Sequence, residues 1–179
     1  MKKKKGKIII TLLVLIIAIF LIYSVIKYKK SIGEKSETFV VCDKNNKCII
    51  ALHIHAEMEI KICGKEIKLP LESGDLRRTH THKERNLLHF EERLKYDNEK
   101  KQIIEKEPIT LKDFFNNKEI NIKFNSTCIA DKCNNDPCGT APEKVKFYVN
   151  DYSNNDFENY VWKDGDKIKI IFGPEGVVV

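Results

Sequence analysis

The sequence predicts an α+β fold: a domain of mostly antiparallel β-strands with one short helix, preceded by a single transmembrane helix. Three observations predict it. A run without charge, "IIITLLVLIIAIFLIYSVI", follows a lysine-rich start. Several later stretches alternate apolar and polar residues with the period of two that marks a strand, while "TLKDFF" carries helix signals. Turn chemistry separates the alternating stretches, in "DKNNK", "CG", "SGD", "KERN" and "KDGD".

The apolar run spans Ile8 to Ile26, nineteen residues, and at about 1.5 Å per residue it is long enough to cross a bilayer core. A helix buried in a soluble core is the rival, but no polar residues mark a second face. A cleaved signal peptide shares the basic start and apolar run, yet this run is longer than a signal core and "YSVIKYKKS" offers no small-x-small cleavage site. The reading is therefore an uncleaved anchor. Five lysines precede the span and three follow it, which favours a cytoplasmic N-terminus and an outward domain. Residues 1–30 are the basic tail and anchor, 31–38 a polar stalk, and 39–179 an extracytoplasmic β-rich domain.

The net charge of +6 belongs to the anchor. Residues 1–30 hold eight lysines and no acid, which leaves 24 basic and 26 acidic residues beyond them. A nucleic-acid-binding domain carries its positive charge on the folded part, and here none is in excess.

Two strands, from "FVV" and "IIAL", flank the turn between Cys42 and Cys48, and the second can run on into "LHIHAEMEIKIC". In that stretch Leu52, Ile54, Ala56, Met58, Ile60 and Ile62 share one face; His53, His55, Glu57, Glu59, Lys61 and Cys63 share the other. Cys63-Gly64 suits a two-residue hairpin turn, since glycine accepts positive φ. Pairing Ile62 with Lys65 then sets Ile60 opposite Ile67 and Met58 opposite Leu69.

"THTHKERNLLHFEE" reads as a second hairpin with "KERN" as its loop. If His82 faces Leu87, His80 faces His89, and His80, His82 and His89 lie on one face. Glu91 to Glu107 is mostly charged and reads as a strand followed by an exposed connector. Beyond Pro108, Thr110 is an N-cap with Asp113 three residues on, a variant of the capping box that starts a short helix; Leu111, Phe114 and Phe115 face a core. The end is β again, in "INIKF" to Phe124, "KVKFYVN" to Asn150 and "KIKIIFG" to Gly173. Asn125-Ser126-Thr127 is a glycosylation sequon.

Six cysteines in an outward domain point to disulfides. Cys42 and Cys48 stand opposite one another across their turn and are expected to pair. Cys63, Cys128, Cys133 and Cys138 make an even set, with three pairings open among them.

Hairpin, short helix and strands ending in "DGDKIKIIFG" resemble the β-grasp (ubiquitin-like) plan, a likeness of fold that implies nothing about function. "HIHAEMEIKICGKEIKLP", "HTHKERNLLHFE" and "TLKDFF" together resemble an uncharacterised family of anchored or exported archaeal and bacterial proteins with HIHxH, HTH, IHxE and TLGDFF-like blocks. The match covers Leu52 to Phe115, and His53, His55, His80, His82 and His89 fall on the family's histidines. Glu57 stands where a third histidine is expected, and "LRR" precedes His80 where relatives have an aromatic and a nearby cysteine.

All five histidines fall in the 37 residues from His53 to His89. Neutral imidazole is the commonest metal ligand, and an i, i+2 pair on a strand points two of them the same way. Copper or zinc held by His53 and His55, and closed by His80, His82, His89 or the carboxylate of Glu57, is the reading they support. The alternative is a solvated polar face on a structural or protein-interaction module of the cell surface, with a protein partner and no metal. The chain contains no HExxH, GxSxG, P-loop, dinucleotide or CxxC fingerprint, so an enzyme is the weaker reading.

Overall fold

The structure is a computed structural model that describes residues 13–24 and 36–173. The chain divides into two units, Met1–Lys35 and Ser36–Val179. In the first, residues 13–24 form a helix, α1. The ends of the expected 8–26 span, its flanking lysines and residues 31–35 of the expected stalk lie outside the described residues. Among the described residues no helix is long and apolar enough to cross a membrane.

In the second unit, alternation dictates the central strand. The period of two that begins at Cys48 continues without a break for 15 residues, and β2 (Cys48–Ile62) buries every second side chain. Strand β1 (Glu37–Cys42) pairs antiparallel with its first half, Cys42 opposite Cys48. Past the Cys63-Gly64 turn, β3 (Lys65–Ile67) pairs Ile62 with Lys65 and Ile60 with Ile67. The third expected pair, Met58 with Leu69, does not form. Asn86 is inserted there: its carbonyl accepts from Met58 N–H at 2.8 Å and its side-chain Oδ1 accepts from Leu69 N–H at 3.1 Å.

The second hairpin forms in the expected register. Strands β4 (His80–Thr81) and β5 (Leu87–Asp97) pair with His80 opposite His89. Strand β5 runs antiparallel along β2, with His55 opposite His89 and His53 opposite Glu91, then turns into β6 (Gln102–Ile103). A 3-10 turn at Glu107–Ile109 leads into α2 (Leu111–Asn116), whose N-cap Thr110 accepts from Asp113 N–H and whose Leu111, Phe114 and Phe115 are buried. The strand expected at "INIKF" is a correction. Ile120 and Asn121 both donate their N–H to the Asn117 carbonyl, and Asn121 has φ +50°, so this backbone closes a turn. Phe124 keeps one isolated bridge, to Ile129.

Two short ladders follow, β7 (Cys128–Ile129) with β8 (Lys132–Cys133) and β9 (Pro137–Cys138) with β10 (Ala141–Pro142). Then come β11 (Val145–Val149), β12 (Tyr152–Ser153) and β13 (Lys167–Phe172). The main sheet has the order β12-β11-β13-β2-β5-β4, with β1 and β3 also on β2 and β6 on β5. Its pairings are antiparallel except that β13 runs parallel to the second half of β2.

One face of this sheet is the core. Ile54, Met58 and Ile60 of β2, Phe90 of β5, Phe147 of β11 and Phe172 of β13 pack with Leu111, Phe114 and Trp162. Each such side chain stabilises by roughly 1.5–3 kcal/mol on burial, which fixes the register of β2 and therefore which residues its other face carries. Disulfides join Cys42–Cys48, Cys128–Cys133 and Cys63–Cys138; the last ties the turn that follows β2 to β9, 75 residues on.

Candidate metal centre

Strand alternation puts His53 and His55 on the face of β2 away from the core, and pairing with β5 brings His89 directly beside His55. One ring nitrogen from each of His53, His55 and His89 lies within 4.8 Å of the others. The rings of His55 and His89 stack 11° from parallel with centroids 4.8 Å apart, and His53 lies 5.0 Å from each. A tetrahedral ion with bonds of about 2.0–2.1 Å holds its nitrogens about 3.3 Å apart, so to close this set the three nitrogens draw together and the near-parallel rings of His55 and His89 tilt toward a common point. A cavity of about 280 Å³ lies beside His53, the one member of the three that lines it, together with Glu37, Phe39, Glu91 and Arg93 among others.

The elements around the cluster hold it in place. Between β1 and β13 the edge of β2 is completed by the "KDGD" turn: His55 N–H donates to Asp164 Oδ1 at 3.0 Å, and the His55 carbonyl accepts from Gly165 N–H at 2.7 Å. The turn is itself locked by buried Asp166, which accepts from Lys163 N–H, Asn150 Nδ2 and the Tyr160 hydroxyl. On the far side, Thr79 N–H and Oγ1 both donate to the Pro108 carbonyl, and buried Trp162 Nε1 donates to Thr79 Oγ1 at 3.0 Å. The Arg78 guanidinium bonds Glu107 and Asp113 at 2.8 and 2.5 Å. Gly74, at φ +117°, passes so close that a Cβ there would sit 2.9 Å from His80 Cβ.

His80, His82 and Glu57 were equally eligible as ligands by sequence, and the converging group of three omits them. His80 is buried with both ring nitrogens engaged: Nδ1 donates to the Arg78 carbonyl at 2.9 Å and Nε2 meets His89 Nδ1 at 3.0 Å. It stands behind His89. His82 packs its ring against those of His55 and His89, with centroids 5.3 and 5.1 Å away, and its Nδ1 bonds the Glu84 carboxylate. Glu57 is exposed, one row beyond His55, flanked by Leu87 and Lys167.

His89 is the centre of the arrangement. Burial first, and then the neighbouring His80, His55, His53 and His82, hold its imidazole well below the ordinary 6.5, at about 3. It is neutral across the physiological range, the state a metal requires. Its Nε2 is buried without a hydrogen-bond partner, an arrangement that costs about 1–3 kcal/mol unless something else occupies the lone pair.

Sequence reasoning found all five histidines and missed the residues that position them: Gly74, Thr79, Glu84, Trp162, Asp164 and Asp166. Of these, Gly74 in "SGD", Glu84 in "KERN" and Asp164 and Asp166 in "KDGD" carried a signal, as turn chemistry, without pointing to the histidines. Comparisons of the chain with protein-family models, with curated proteins and with solved structures find no match.

Proposed function

We propose that this chain is a membrane-anchored extracytoplasmic domain that binds one copper or zinc ion through His53, His55 and His89. The observation that carries the reading is the buried, unpartnered Nε2 of His89 beside two further imidazoles. Three imidazoles leave a fourth position for water, an anion or a neighbouring side chain such as His82. The charge-free run, the lysines before it and the three disulfides support an anchor with the domain in an oxidising compartment outside the membrane. We also read the fold as β-grasp. The order β5-β2-β13-β11, with a parallel central pair and α2 packed into the core of the sheet, supports that plan.

The metal reading is tested by double-mutant analysis. His53→Ala and His89→Ala should each abolish tight zinc or copper binding by the full chain, and the two together should lose little more, because either loss breaks the same site. Losses that add independently would contradict a shared site. A second reading, a protein-interaction module without metal, is favoured by one observation: Phe39, Val41 and Ile49, neighbours on the histidine face, are 54, 52 and 37 % exposed. That reading expects weak metal binding in the parent and no sharp loss in either variant.

A further inference from the structure

We propose that His80 is a positioning residue that fixes His89 as its Nδ1–H tautomer, so that His89 offers the lone pair of Nε2 to the metal. The inference rests on the metal reading above, and extends it from which residues bind to which atom binds and what selects it.

The chain of donors starts at a group with no choice. The Arg78 carbonyl can only accept, so at 2.9 Å the His80 Nδ1 must carry its hydrogen. A neutral imidazole carries one N–H, so His80 Nε2 is a lone pair. The 3.0 Å contact between that lone pair and His89 Nδ1 is a hydrogen bond only if His89 donates from Nδ1. His89 Nε2 is then a lone pair too, and it is the buried atom without a protein partner. The opposite direction would require His80 protonated on both nitrogens, a cation 6 % exposed with no counter-charge bonded to it, and would leave a buried N–H orphaned on His89.

The carbonyl at the head of the relay cannot drift. Arg78 N–H donates to the Asp75 carbonyl, Arg78 is clamped by Glu107 and Asp113, and the next residue, Thr79, is tied to Pro108 and Trp162. Metal-ligating histidines generally donate their other N–H to an acceptor that orients the ring. Here that acceptor is a second imidazole, itself oriented by backbone. The two ring planes stand 74° apart, an angle a nitrogen-to-nitrogen bond permits, since the N–H and the lone pair each lie in the plane of their own ring.

Long-range proton–nitrogen NMR of the full chain in detergent micelles at pH 7.5, without metal and with zinc added, reads the tautomer directly. In the metal-free parent, His89 should show a protonated Nδ1 and a bare Nε2, and zinc should shift Nε2. His80→Phe keeps a ring but removes the acceptor; His89 should lose its fixed tautomer and zinc affinity should fall on the order of 10–100-fold. His80→Gln, which restores an acceptor oxygen, should recover most of both. A parent His89 protonated at Nε2, or a His80→Phe variant with the parent tautomer and affinity, would overturn the proposal. If His80→Phe does not fold, the parent spectrum decides alone. A parent with the stated tautomer and no response to zinc would uphold the relay and overturn the metal reading instead.

Discussion

His53 and His55 on β2, and His80, His82 and His89 on the hairpin beside it, are the same side chain placed by different means. On β2 the placement is local: a 15-residue alternation whose other face is the core leaves these two histidines nowhere else to point. On the hairpin it is borrowed from distant chain, through Gly74, the Thr79–Trp162 bond across 83 positions and the clamp on Arg78. The first pair should therefore tolerate change around it, while the second should fail when remote contacts fail. On the proposed reading the difference also divides the chemistry: β2 supplies two candidate ligands, and the hairpin supplies one and its supports.

The sharpest way to break the comparison is to remove ligands from each side. His55→Ala and His89→Ala should each weaken metal binding on the order of 100-fold or more, measured by competition with a chromophoric chelator, because three imidazoles are the fewest that hold the ion firmly. Equal losses would show the two regions contributing to one centre.

Gly74→Ala is the next largest test. The methyl would meet His80 Cβ at 2.9 Å, in a backbone conformation side chains avoid, so denaturation should show a loss of about 1–3 kcal/mol and metal affinity should fall with it. On β2 the remote tie from His55 to Asp164 and Gly165 is through its backbone, and among the described residues no glycine presses on a ring-bearing Cβ there as Gly74 does on that of His80. Reducing the disulfides sharpens the same contrast. Cys63–Cys138 closes a 75-residue separation and Cys42–Cys48 one of six; the chain-entropy picture assigns them about 4.5 and about 2 kcal/mol. Paired alanine variants in chemical denaturation should fall in that order.

These outcomes bear on what the sequence could reveal. Its periodicities contain β2, the Cys63-Gly64 turn, the β4–β5 register and α2, because each depends on alternation, a turn residue or a cap within a few positions. The "INIKF" strand was misjudged for a local reason hidden from pattern: Asn121 adopts positive φ and the backbone turns back on Asn117. The histidine cluster was legible as a set of residues, but the division into ligands and supports was not. That division depends on where His80 finds its acceptor and where Glu84 meets His82, and neither contact has a spacing rule.

The pH response follows from His89. Its folded value of about 3 lies below the ordinary 6.5, so as pH falls the unfolded chain takes up a proton first. The stabilisation is fully present above about 6.5 and is lost as pH falls from there toward 3. Denaturation of the metal-free chain between pH 7.5 and 4 should show this decline, and His89→Phe should flatten it. The smallest effect belongs to the hairpin's outermost support. Glu84 is 55 % exposed and bonds only the second nitrogen of a histidine outside the converging three, so Glu84→Gln should weaken metal binding by about tenfold at most.

The central claim, that His53, His55 and His89 form one transition-metal site, is tested most directly by titrating the metal-free full chain with zinc or copper at pH 7.5. One ion bound per chain at micromolar Kd or tighter, about 8 kcal/mol, with the His89 resonances shifting in step, is the expected result. An affinity no better than millimolar, about 4 kcal/mol, or saturation that leaves His89 unperturbed, would contradict it.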